Sequence, residues 1–109
     1  MCDDRHRMKR HISNAELTMD ALPKPGADWE SVGEFALTFD GYAEHGSFEA
    51  CAEIANAKRH DSLSDLRTCL FFEQRRWRHF GEIPDAESMS YIHGMLEEIR
   101  SRLAAGNID

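Results

Sequence analysis

The apolar positions in the second half of the chain recur at helical spacing. One run opens with Ser62 and Asp65, which have the spacing of a capping box, and it stops at Gly81 and Pro84. Its apolar side chains fall on a single stripe, as in an amphipathic helix. The pattern predicts a helix over residues 63–80. The stripe consists of Leu63, Leu66, Leu70 and Trp77.

A second amphipathic run follows Asp85, a good N-cap residue, and stops before Gly106. Its apolar residues are spaced alternately three and four apart, which is the spacing of a coiled-coil seam. The run predicts a helix over residues 86–104, and its seam either packs on helix 63–80 or pairs with a second copy in a structural homodimer. The seam consists of Met89, Ile92, Leu96, Ile99 and Leu103.

The first half of the chain has weaker helical signals. Ser13 and Glu16 have capping-box spacing and predict a short helix that ends near Leu22, before two prolines. Asp28 predicts the start of a helix that continues to about Ala43. An alternation of apolar residues over 35–42, with Asp-Gly at 40–41, fits a strand and hairpin turn instead, so both readings stay open there.

Gly46 and Ser47 predict a further helix through about Lys58, with Phe48 among its inward-facing residues. Connections of two to six residues join the helices and favour antiparallel neighbours. We therefore expect an all-α fold, a compact bundle of about four main helices with a short extra N-terminal helix. Residues 14–109 form the single domain, and residues 1–13, which are basic and nearly devoid of apolar side chains, form a mobile arm.

Composition is that of a globular chain, since 41% of residues are hydrophobic and 30% are charged. No apolar run approaches the roughly 18 residues that a membrane span needs, and the first residues lack the apolar stretch of a secretory signal. We expect a cytoplasmic protein that does not bind membranes.

The net charge of −7 is unevenly distributed. Residues 14–57 contain nine acidic residues and a single cation, Lys24. Six of the acids form like-charge pairs four residues apart, a spacing that destabilises a helix by roughly 0.2–0.5 kcal/mol per pair. We interpret this block as an acidic face that binds a basic surface on a larger protein. Its residues are Glu30, Glu34, Asp40, Glu44, Glu49 and Glu53.

Two other interpretations of the acidic block stay open. In the first, the helix dipole stabilises the carboxylates that lie in first helical turns, and the remaining carboxylates are simply solvated. In the second, the arginines at 75, 76 and 78 neutralise the acidic block within the fold. In size and charge alone the chain resembles small acidic inhibitors and immunity proteins of bacteria and phages. That resemblance implies a non-enzymatic regulator or inhibitor of the phage or mobile-element type.

The segment 71–80 mixes basic and aromatic side chains, a composition that binds phosphates and stacks on bases. It predicts an alternative function, nucleic-acid binding by Arg75, Arg76, Trp77 and Arg78 together with the N-terminal arm. Cations also stabilise the C-terminus of a helix, which would explain the same residues without a ligand.

Signatures of enzymatic chemistry are lacking. The six histidines never form HxxxH, the three cysteines have no CxxC spacing, and no nucleophile motif or phosphate-binding loop occurs. The sequence therefore predicts no catalytic residues, no metal site and no cofactor. It predicts that Cys51 and Cys69 are small buried hydrophobic residues.

Overall fold

The computed structural model describes residues 11–108, in which all regular structure is helical. This confirms the predicted all-α class with a short N-terminal element. A 3-10 turn, Met19–Ala21, precedes five α-helices. They are α1 (Trp29–Ala36), α2 (Gly41–His45), α3 (Phe48–Asn56), α4 (Leu63–Phe80) and α5 (Ala86–Ala104).

The two C-terminal helices begin and end where the sequence predicts. The hydroxyl of Ser62 accepts a hydrogen bond from the Asp65 N–H and caps α4, and the carboxylate of Asp85 caps α5 by accepting from the Ser88 N–H. Gly81, with a φ of 69°, ends α4 in the left-handed conformation that glycine adopts without strain. These signals are local, which is why the pattern identifies them.

The core lies between α1, α3, α4 and α5, and α4 contacts each of the other three helices. The predicted stripe of α4 is buried as expected. Three residues of the α5 seam, Ile92, Leu96 and Ile99, are buried in the same core, and Met89 and Leu103 pack at its edge. The seam is therefore used within the chain, and in this fold it is not open to pairing with a second copy.

The predicted helix from Asp28 to Ala43 is wrong, because the chain leaves the helical conformation after Ala36 and starts again at Gly41. The hairpin alternative is wrong too, since residues 35–42 contain no strand. The cause is tertiary. A Cβ at Gly41 would lie only 3.3 Å from both Cys51 Sγ and the Phe71 ring, so the turn brings a glycine where α2 meets α3 and α4.

The first described residues are held by local and distant hydrogen bonds. Ser13 and Glu16 exchange the predicted capping-box bonds, yet the N-terminal helix is only the three-residue 3-10 turn. The Ile12 N–H donates to the Thr38 carbonyl at 2.7 Å. Of the predicted mobile arm, residues 1–13, the first ten residues lie outside the described part of the chain.

Arg67 is the largest fully buried side chain, with 1% of its surface exposed. Its guanidinium donates from Nη1 to Asn14 Oδ1 at 2.8 Å and from Nη2 to Thr38 Oγ1 at 3.2 Å, and it lies 4.8 Å from the centre of the Phe39 ring. Burial lowers the pKa of Arg67 to about 10, while the charge of Glu44 acts in the opposite direction. One side chain thus ties the N-terminal segment and the turn after α1 to the N-terminal half of α4.

We expect Arg67→Lys to destabilise the protein by about 3 kcal/mol and Arg67→Met by only about 1 kcal/mol. Lysine keeps a charge in the interior but loses the fork that reaches both acceptors, whereas methionine removes the charge and fills the volume. Urea unfolding followed by circular dichroism measures both. Exposed Arg76→Lys is the control and should change stability by less than roughly 0.5 kcal/mol. A larger loss for methionine than for lysine would contradict this account.

Candidate partner-binding surface

All six residues of the predicted acidic face are exposed. Within residues 11–108, none of their carboxylates lies within ion-pairing distance of a cation, although α5 forms two such pairs, Arg100 with Glu97 at 2.9 Å and Arg102 with Glu98 at 3.7 Å. Over this part of the chain, the arginines at 75, 76 and 78 therefore do not neutralise the acidic block by direct contact.

Two of the six acids have a role inside the fold. The carboxylate of Asp40 caps α2 by accepting from the Ala43 N–H at 3.1 Å. The charge of Glu44 favours the protonated guanidinium of buried Arg67. The other four acids are the pairs on α1 and α3, of which Glu30 and Glu49 lie in first helical turns, where the helix dipole favours a carboxylate. The four are Glu30, Glu34, Glu49 and Glu53.

The α1 pair borders a groove between α1 and α4 with a volume of about 340 Å³. Glu30 and Glu34, one turn apart, both line it. Glu34 also lines a second groove on the other side of α1, of about 410 Å³, which is bounded by Leu22 and Phe35. The structure thus brings Glu30 and Glu34 together at a concave surface.

The α3 pair follows Phe48, whose side chain is 56% exposed. The prediction that Phe48 faces inward is wrong, because Cys51 and Ile54 occupy the buried side of α3. The Phe48 ring lies instead 5.6 Å from the Phe72 ring and 6.1 Å from the Tyr42 ring. This leaves an exposed aromatic ring on the helix that carries Glu49 and Glu53.

One of the four residues predicted to bind nucleic acid is not accessible at the surface of α4. Trp77 is buried, and its indole N–H donates to Glu73 Oε1 at 3.1 Å, so the ring is not available to a base. Arg75 lies over the Tyr42 ring at 5.3 Å, and Arg76 lies over the Trp77 ring at 5.4 Å. Arg75, Arg76 and Arg78 themselves are exposed, as predicted for a surface segment.

The described cysteines, Cys51 and Cys69, are free and buried, as predicted. The Cys69 thiol faces the Arg59 carbonyl at 3.4 Å, and burial raises its pKa to about 11. Burial also raises the pKa of the neighbouring Tyr91 hydroxyl, which lies 3.0 Å from His60 Nε2. The thiol nearest to a histidine–tyrosine pair is therefore held in its unreactive, protonated form.

In the described part of the chain, no group of three or more His, Cys, Asp or Glu side chains is arranged to hold a metal ion. Nor does any helix between residues 11 and 108 combine the length and the hydropathy needed to cross a membrane. No model of a known protein family, no curated protein and no solved structure matches the chain significantly. The candidate surface therefore rests on the chain's own geometry.

We expect Cys51 and Cys69 to be unreactive in the native protein. In a Cys2→Ser variant, dithiobis(nitrobenzoate) below pH 9 should modify both thiols only after urea is added, because both are buried and the pKa of each is raised. The free energy of unfolding should also fall between about pH 9 and 11, where the unfolded Cys69 thiol ionises and the folded one does not. In Cys69→Ala, the free energy of unfolding should fall less steeply with pH over the same range. Rapid modification of the native protein would contradict the assignment.

Proposed function

We propose that the chain is a non-enzymatic, cytoplasmic protein-binding module, a regulator or inhibitor whose acidic helices engage a basic surface on a larger protein. The observation that carries the proposal is the set of four exposed carboxylates on α1 and α3, which have no ion-pair partner among the described residues. Over residues 11–108, the chain pairs acids with arginines on α5 and leaves these four unpaired.

The arrangement carries an electrostatic cost that a basic partner relieves. Each like-charge pair one turn apart destabilises its helix by roughly 0.2–0.5 kcal/mol. A cation placed between the two carboxylates of a pair is attracted to both, and these attractions outweigh the repulsion between the carboxylates. Exposed charges of one sign also steer a complementary protein during encounter and raise the association rate at low salt.

Phe48 supplies the apolar contact that charge alone does not provide. Interfaces combine a buried aromatic anchor with a polar rim, and aromatic side chains are frequent among the residues that dominate binding energy. Phe48 is exposed, is supported by Tyr42 and Phe72, and is followed on the same helix by Glu49 and Glu53. The proposed partner surface is therefore basic with an apolar depression.

Replacing the four unpaired acids tests the proposal. We expect the Gln variant at Glu30, Glu34, Glu49 and Glu53 to capture far less of its partner from the native host, and we expect the residual binding to depend less on salt. The matched control replaces four exposed acids elsewhere, Asp20 and Asp61 by Asn and Glu82 and Glu87 by Gln, with the same change in net charge. The control should bind normally.

Two results would overturn the proposal. One is equal loss of binding in both variants, because the effect would then follow from net charge rather than from one surface. The other is capture of nucleic acid in place of protein, abolished by replacing Arg75, Arg76 and Arg78 with Gln, which would establish the alternative function predicted for that segment.

Phe48→Ala should weaken partner binding by about 2 kcal/mol, which corresponds to roughly thirtyfold in Kd. It should destabilise the fold by only about 1 kcal/mol, since the ring is more than half exposed, although it loses its contacts with Tyr42 and Phe72. Titration of the identified partner measures the first quantity and urea unfolding the second. Unchanged affinity would remove Phe48 from the interface.

A further inference from the structure

The groove between α1 and α4 has chemically distinct sides. Trp29, half-buried, and Ile83, 72% exposed, provide an aromatic and an aliphatic wall, and Glu30 and Glu34 provide two carboxylates. Gln74 reaches the groove from α4. An aromatic face, an aliphatic surface and a pair of anions are the features that bind a cation carried on an apolar stem.

Gln74 adds an unused acceptor to this groove. Its side-chain amide makes no hydrogen bond within residues 11–108, and its Oε1 is buried without a partner. An unsatisfied buried acceptor is unfavourable, and rotation about the last torsion of a glutamine is soft. A donor that enters the groove gives this oxygen a hydrogen-bond partner when the last torsion turns it outward.

We propose that this groove binds an arginine side chain of the partner protein. The guanidinium stacks on the Trp29 indole, donates to Glu30 and Glu34 and to the Gln74 carbonyl, and its methylene stem lies along Ile83. Arginine fits better than lysine because its planar, weakly hydrated cation both stacks on rings and donates several hydrogen bonds in a fixed fork. The inference rests on the proposed function, of which it specifies one contact.

Nα-acetyl-arginine amide, titrated into the ¹⁵N-labelled full chain, tests the groove without the partner. We expect saturable shifts of the Trp29 indole N–H and the Gln74 side-chain amide. The Trp77 indole N–H is an internal control, because it is buried and bonded to Glu73. The citrulline derivative, which has nearly the same shape without the charge, should bind at least about fivefold more weakly, and so should the lysine derivative.

Three variants locate the site. Glu30→Gln with Glu34→Gln should weaken binding by at least about fivefold, whereas Glu49→Gln with Glu53→Gln should leave it unchanged. Gly33→Ala should also weaken binding, because its Cβ would stand 3.7 Å from Gln74 Cγ and 3.9 Å from Trp29 Cε2, inside the groove. These are ordinary contacts, and alanine is the better helix former, so this variant should fold.

The arginine site and the proposed function fail separately. Equal binding of the citrulline or lysine derivative, or no saturable shift at Trp29, would overturn the arginine site even if the acidic variants still lose the partner. Saturable binding that requires Glu30 and Glu34, in a protein whose partner capture does not depend on the four acids, would retain the site and overturn the proposed function.

Discussion

The enclosure of α4 is the constraint on which the rest of this fold depends. Residues 66–71 are all buried, so over nearly two turns the helix has no face in contact with solvent. Its apolar side chains meet α5 and α1, but Arg67 and Thr68 are polar and need partners in the interior. Those partners come from the first half of the chain, where Asn14 and Thr38 bond Arg67, and His45 lies 2.9 Å from the Thr68 hydroxyl.

This polar lining explains why the first half is irregular. A continuous helix from Asp28 to Ala43 would place residues 37–40 in a regular spiral, whereas the observed turn presents Thr38 to both Arg67 and the Ile12 N–H. It also brings Gly41 against α3 and α4. The segment loses a few helical hydrogen bonds but supplies partners for a buried cation. An unpaired buried charge would destabilise the fold by more than the loss of those local bonds does.

The same packing determines which charges remain for a partner. Arg67 is buried and donates its hydrogen bonds to neutral acceptors, not to the acidic block. Arg75 lies against aromatic rings instead of carboxylates. The acids on α1 and α3 remain at the surface. The α1 pair lies beside a groove, and the α3 pair follows the exposed Phe48 on the same helix. The packing thus keeps two cations away from the proposed interface, since Arg67 is bonded in the interior and Arg75 lies against aromatic rings at the surface.

The sequence by itself determined the helices that depend on neighbours along the chain. The bounds of α4 and α5 follow from side-chain caps and helix stops that act within one turn, and their core stripes follow from the 3.6-residue period. The acidic block was also readable, because charge is a property of composition. Only the tertiary structure decided that Arg67 and Trp77 are buried, that Phe48 is exposed, and that Glu30 and Glu34 share a groove with Gln74. Each of these depends on contacts between residues far apart in sequence, and local periodicity carries no information about which distant segment will supply the hydrogen-bond partner or leave the gap.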